Sequence, residues 1–339
     1  MSKKKMLFIL GALVLGAFVL AACAGPAGPA GPAGPAGPAG PAGPAGPAMT
    51  TADLTCTQCH NDTTLITGKE AAWATSLHGS GTTTAYAGGR AQCNGCHSGG
   101  GFTDRIASGT KTSDIKTADP NASRIDCRAC HKIHTTYTKD DFALTTTAAV
   151  TLEASGATYD GGAGNLCANC HQPRTAFPAA KDGKVSVTST HWGAHHGPVA
   201  AMILGVGGGG DVQGKPAPHA SMVKDTCVTC HMGVTDDPTN ANHTFTPDVA
   251  TCQTCHSDAK NFDVDGVQTT IKDKLAKVED ALKAKGLLDK DGVIVVGDYP
   301  EAQAAALWNY LFVEEDKSMG VHNADYANAL LDAALEALK

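Results

Sequence analysis

Six copies of one five-residue spacing, Cys-x-x-Cys-His, govern what this 339-residue chain can fold into. They fall at Cys56, Cys59 and His60; Cys93, Cys96 and His97; Cys127, Cys130 and His131; Cys167, Cys170 and His171; Cys227, Cys230 and His231; and Cys252, Cys255 and His256. Twelve of the 13 cysteines are used in these pairs, which leaves Cys23. Two thiols three residues apart share one helical turn, where they can form thioethers with the two vinyl groups of a single haem c while the adjacent imidazole turns to its iron. Paired Cys-x-x-Cys also serves zinc sites and thiol redox chemistry. With 14 histidines in the chain, chance would place a His after all six pairs roughly once in a few hundred million trials. Six covalently bound haem c groups, each with its iron, are therefore the expected cofactors.

Aromatic residues make up only 5% of the chain, which argues against a conventional aromatic-rich core. Six haems shared over residues 49–339 would leave each fewer than about 50 residues, so the haems are expected to serve as much of the core, with thioether staples restraining the chain as disulfides do. The expected fold is mainly α and irregular, a haem-stapled multihaem cytochrome with a C-terminal helical segment. Residues 49–260, rich in Gly, Thr and Ala, read as the hexahaem domain, built of short helices and loops. Phe142 to Leu152 reads as a strand or small hairpin ahead of Gly161-Gly162. Residues 261–339 change to helical periodicity. Ile271, Leu275, Val278 and Leu282 form one apolar stripe, closed by Gly286 as C-cap. Asp289 to Val296 reads as a brief loop and strand, and Pro300 as a first-turn residue of a second helix through Leu307 and Leu311. A third helix starts near Asn323 or Asp325 and carries Leu331, Leu335 and Leu338. The three helices are expected to pack on one another and cap the haem region.

The N-terminus has the layout of an export signal. Lys3, Lys4 and Lys5 precede an uncharged apolar run from Met6 to Ala22, which is short for a membrane span. It closes in Leu20-Ala21-Ala22-Cys23, which resembles the lipobox of bacterial lipoproteins; cleavage there would remove residues 1–22 and lipidate Cys23. Cleavage after Ala22-Cys23-Ala24 is the rival reading, since it also fits the small-x-small rule. The lipidated chain would be an exported, membrane-anchored lipoprotein on the periplasmic side or the cell surface, with the lipid membrane as a partner through Cys23. After the lipidated Cys23, residues 25–48 are eight consecutive Gly-Pro-Ala triplets, a collagen-like repeat. The repeat reads first as a stiff spacer of about 75 Å at about 3.1 Å per residue; three copies could also wind together, making it a route to a homo-oligomer. Losing residues 1–22 takes three lysines and no acid from 26 basic and 33 acidic residues, leaving a formal charge of −10. No nucleic-acid partner is expected, because that needs a basic footprint.

Eight histidines stand outside the motifs: His78, His134, His191, His195, His196, His219, His243 and His322. Six would give every iron two imidazoles, and a saturated iron has no open position for a substrate. That arithmetic favours electron transfer over catalysis. His134, three residues after His131, sits where it can ligate a neighbouring haem; His78, His219, His243 and His322 are the other single candidates. The cluster His191, His195 and His196 should supply at least one ligand, with His195 preferred. Met222 and Met232 near the fifth motif are read as packing residues.

Four segments carry a family resemblance: GNLCANCHQPR, HWGAHHGP, CVTCHM followed by NHTFTPD, and GVHNADYANALL. They resemble multihaem cytochromes related to ammonia-forming nitrite reductase and to cytochromes that polymerise into extracellular filaments, over most of residues 49–339. The resemblance implies distal haem ligation by His243 and by His322. Nitrite reductase attaches its catalytic haem through a motif ending in Lys, and none exists here; that departure counts against the activity. The expected function is electron transfer across or beyond the cell envelope in anaerobic respiration, with redox partner proteins, extracellular electron acceptors or other haem proteins as partners. A reductase for nitrite or hydroxylamine and a subunit of an extracellular filament are the alternatives. The first requires one iron without a distal ligand, and the second is motivated by the repeat.

Overall fold

At each of the five described Cys-x-x-Cys-His motifs, regular structure shrinks to about one turn. The computed structural model describes residues 64–233 and 242–339. The export segment, Cys23, the Gly-Pro-Ala repeat and the first motif, Cys56 to His60, lie outside the described residues. The chain divides after Ala48, and every described residue belongs to the second unit, Met49–Lys339. The five described motifs sit on α3 (Asn94–His97), α5 (Cys127–Cys130), α6 (Asn165–Ala168), α9 (Cys227–His231) and α10 (Val249–Cys252). In four of them the backbone N–H of the motif His donates to the carbonyl of the first Cys at 2.8–3.0 Å, the i to i−4 bond that closes one turn. Around them lie α1 (Thr64–Thr75), α2 (Leu77–Ser80), α4 (Gly99–Ser108), α7 (Val199–Leu204) and α8 (Pro218–Met222). The architecture is mainly helical and irregular.

The long helices come last. In α11 (Val267–Ala284), Ile271, Leu275, Val278 and Leu282 form one buried stripe. It ends in a Schellman motif: Gly286 at φ +75° donates to Lys283 O, and Leu287 N donates to Leu282 O. Helix α12 (Glu301–Asp316) takes Pro300 as the residue before its first turn, one place earlier than the expected first-turn position. Helix α13 (Ala324–Ala337) is capped by Asn323, whose side-chain oxygen accepts from Tyr326 N at 3.1 Å.

Strands are few and short. β1 (Val150–Thr151) pairs antiparallel with β2 (Thr158–Tyr159), so the expected hairpin exists but begins eight residues later than Phe142. β3 (Lys184–Val187) pairs antiparallel with β4 (Gly297–Pro300), in the register Lys184 with Pro300 and Val187 with Gly297. The strand expected within Asp289 to Val296 is displaced to β4. Asp289 Oδ1 accepts from the N–H groups of both Asp291 and Val293, which bends that stretch into a turn.

The main core draws on Leu152 and Tyr159, on Met202 of α7 and on the buried faces of α11 to α13. Against the expectation that a conventional aromatic-rich core is unlikely, aromatic rings sit at the centre of this one. Its largest fully buried side chains are Trp308, Tyr159, Tyr326 and Phe312, and Trp308 meets Trp192 and Phe177 edge to face at 5.2 and 5.6 Å. A low aromatic count is compatible with such a core because these few rings are concentrated in one place. Glycines let the backbone reach it: a Cβ on Gly208 would lie 2.4 Å from Leu330 Cδ2, and the N–H groups of Gly208 and Gly209 donate to Tyr326 Oη and Asn309 Oδ1 at 2.8 and 2.7 Å. A second, smaller cluster of Phe102, Ala129 and Leu166 packs against Cys130 and Cys170.

Candidate cofactor-attachment site

The motif turns converge. Cys93, Cys96, Cys127, Cys130, Cys167 and Cys170, with their histidines, line one cavity of about 1450 Å³. That exceeds the roughly 300–1,000 Å³ of a pocket for one drug-sized ligand, as a site for several flat macrocycles must. Thiols of different motifs meet within it and beyond it: Cys96 lies against Cys170, and Cys167 against Cys227. The ten described motif cysteines form no disulfide. Among the described residues no three His, Cys, Asp or Glu side chains converge as a metal-binding group.

The histidines are instead arranged in twos. His171 lies 6.1 Å from His78 between ring centres, and His97 lies 5.9 Å from His195. His131 is 6.3 Å from His243, His231 is 6.2 Å from His322, and His256 is 6.3 Å from His219. Each of the five described motif histidines therefore faces one histidine from outside the motifs. An imidazole nitrogen bonds a first-row metal at about 2 Å, so two imidazoles trans across one ion stand about 6 Å apart between ring centres. The five pairs match that spacing, and two thiols accompany each of them, so this donor set fits a macrocycle whose metal keeps only its two axial positions open.

Several rings are also oriented through Nδ1. His131 Nδ1 donates to Phe142 O at 2.7 Å, His231 Nδ1 to Phe245 O at 2.9 Å and His243 Nδ1 to Asn242 Oδ1 at 2.9 Å. His322 Nδ1 donates to Asp316 Oδ1 at 2.8 Å. Each such bond fixes the tautomer that leaves Nε2 as an electron-pair donor, the usual support for a metal-bound histidine. Burial, followed by the neighbouring imidazoles, pushes His171 down to about 4. The same causes, with Arg174 as a further one, push His195 down to about 4. His171 is enclosed by protein while its ring borders the open cavity, so the ring surface is accessible but bulk water does not surround its charge. Such imidazoles stay neutral near pH 7, the state that ligates.

Of the cluster His191, His195 and His196, only His195 meets a motif histidine. It does so from a left-handed backbone at φ +80°. His196 turns outward to Glu315, 2.6 Å away, and His191 is exposed. His134, at φ +61°, stacks on Tyr137 at 5.4 Å and lines the cavity. Met222 is 77% exposed and packs on little, contrary to expectation, whereas Met232 borders the cavity. The sequence reading missed the orienting groups Asp316, Asn242 and the carbonyls of Phe142 and Phe245. It also missed Phe245 as a wedge, its ring 4.8 Å from His78 and 6.1 Å from His243. A backbone carbonyl leaves no mark in a sequence. Asp316 stands six residues from His322, across a helix end, where no motif spacing would flag it.

No family model and no curated protein matches the chain. Among solved structures, the outer cell wall cytochrome OcwA is similar over 80% of this chain and 50% of its own, with TM-score 0.50 and 24% identity. An undecahaem cytochrome from the S-layer of Carboxydothermus ferrireducens is similar over 73% of this chain and 38% of its own, with TM-score 0.41 and 20% identity. The chain thus spans half the length of OcwA. The likeness to OcwA is one of fold, and the chain, mainly α and irregular, shares that fold over the matched part.

Proposed function

We propose that this chain is an exported hexahaem c-type cytochrome that carries electrons. The observation that supports the reading best is the set of five histidine pairs at 5.9–6.3 Å, each beside a Cys-x-x-Cys pair. In this reading Cys93 and Cys96, Cys127 and Cys130, Cys167 and Cys170, Cys227 and Cys230, and Cys252 and Cys255 hold five haems by thioethers. The five irons would be held by His97 with His195, His131 with His243, His171 with His78, His231 with His322 and His256 with His219. Cys56, Cys59 and His60 hold the sixth haem. Its proposed distal ligand is His134, three residues after His131 and about one turn further on, where it can ligate a neighbouring haem.

When bound, haem c supplies a ferric/ferrous couple, and two imidazoles per iron favour outer-sphere electron transfer over substrate binding. The protein's part is to place these couples next to one another. The contacts of Cys96 with Cys170 and of Cys167 with Cys227 put the second, fourth and fifth sites in sequence. Cys130 and Cys170 share the small apolar cluster, which sets the third site beside the fourth. Electrons would leave towards redox partner proteins or extracellular acceptors, with the chain tethered to lipid through Cys23 and held off the membrane by the Gly-Pro-Ala spacer. OcwA is an outer cell wall cytochrome, which agrees with a role in the cell envelope.

Pyridine haemochrome assay and intact mass of the purified, exported protein should return six haems per chain. Low-temperature electron paramagnetic resonance should show only low-spin ferric signals. A protein of bare polypeptide mass refutes the reading, and a high-spin ferric signal with fast nitrite turnover replaces it with a reductase.

A further inference from the structure

His322 is oriented differently from the other paired imidazoles with a described Nδ1 partner. His131, His231 and His243 donate to neutral oxygens, whereas His322 donates to a carboxylate, Asp316 Oδ1, at 2.8 Å. That carboxylate is 4% exposed and is the last residue of α12. Burial and the negative end of a helix both disfavour an anion there. Three donors hold it nonetheless: His322 Nδ1, the hydroxyl of Ser318, and Ser318 N at 3.4 Å. Ser318 Oγ also accepts from His322 N at 3.1 Å, so the carboxylate, the serine and the histidine form one closed network.

A hydrogen bond from an axial imidazole to a carboxylate draws the Nδ1 proton away and makes Nε2 a stronger donor. A stronger axial donor stabilises the ferric iron relative to the ferrous one, and axial ligation is a main lever on haem potential. Neutral acceptors do this less. We propose that Asp316, acting through His322, makes the iron between His231 and His322 the lowest-potential centre of the described sites. Asp316 is thus a positioning residue for electron flow. His231 and His322 would hold that iron, whose ferric/ferrous couple would pass one electron at a time between adjoining haems, while Asp316 keeps its hydrogen bond to the Nδ1 proton of His322. With the fifth site next to the fourth through Cys227 and Cys167, its low potential sets an energetic step between those two sites.

The inference rests on the proposed haem ligation, and the test separates the two. Haem content and low-spin resonance are measured first on the wild-type holoprotein; their absence refutes the ligation itself. Spectroelectrochemical titration is then compared between the wild type, Asp316→Asn and Ser318→Ala. Asp316→Asn should keep six low-spin haems and move one one-electron wave upward by at least about tenfold in the ferric-to-ferrous ratio, about 59 mV, while the others stay. Ser318→Ala removes a competing donor to the carboxylate and should move the same wave downward. Asp316→Glu should restore most of the wild-type value. Should Asp316→Asn fail to load haem, the downward shift in Ser318→Ala decides alone. Unshifted waves in both variants, or shifts of the same sign, overturn the proposal.

Discussion

At the scale of single residues, His195 is distinguished from its neighbours by direction rather than by type. His191, His195 and His196 lie within six positions, yet only His195 points back to a motif ring, because the chain there takes a left-handed turn at φ +80°. Replacing His195 with Ala should open one iron and produce a high-spin ferric signal, whereas His191→Ala and His196→Ala should leave the spectrum low-spin. Losing the exposed His196–Glu315 pair should cost less than about 1 kcal/mol, checked by urea unfolding. The depressed His171 and His195 also set a pH dependence. Their folded pKa values, about 4, lie below the ordinary 6.5, so the unfolded chain takes up protons first and stability falls as pH drops from about 6.5 to about 4. Bonds from these rings to iron extend that loss to lower pH. Denaturation midpoints that stay equal between neutrality and the acid end of the window would contradict this.

At the scale of elements, α11 to α13 were the most legible part. Period 3.6 is a strong signal in the stripe Ile271, Leu275, Val278 and Leu282, and all four are buried. Gly286 as a helix stop and Asn323 as a helix start follow from local chemistry that needs no tertiary information. The strand pair β3 and β4 was not legible. Its members lie more than a hundred positions apart, and four-residue strands carry too few side chains to show alternation clearly. The twelve motif cysteines were plain from spacing, but the partner of each described motif histidine is a long-range fact, and only proximity in the fold assigns it. Leu331→Ala in the packed face of α13 should cost about 2–5 kcal/mol, read from thermal unfolding. Asn323→Ala should cost about 1–3 kcal/mol. It removes the cap and leaves Met202 O and Lys215 O without the Nδ2 donor that lies 3.0 and 2.9 Å away, and it loosens the start of α13 beside His322.

At the scale of the whole molecule, apolar packing is uneven. One large core joins α7, Leu152, Tyr159 and Ala168 with α11 to α13, while the described stretch from the second motif through Leu144 packs in the small cluster around Phe102, Ala129 and Leu166. A chain prevented from acquiring haem should therefore keep amide protection in α11 to α13 and lose it across residues 93–144, measured by hydrogen exchange. Uniform protection, or none anywhere, would contradict that division of labour. The β3–β4 pairing also bears on biosynthesis. The segment at Lys184 cannot find its partner until Gly297 to Pro300 has been made, and His322 is made later still. On the proposed reading, the maturation machinery meets every attachment sequence on a chain that has not yet closed, and the last histidine to arrive seals the assembly from the far end.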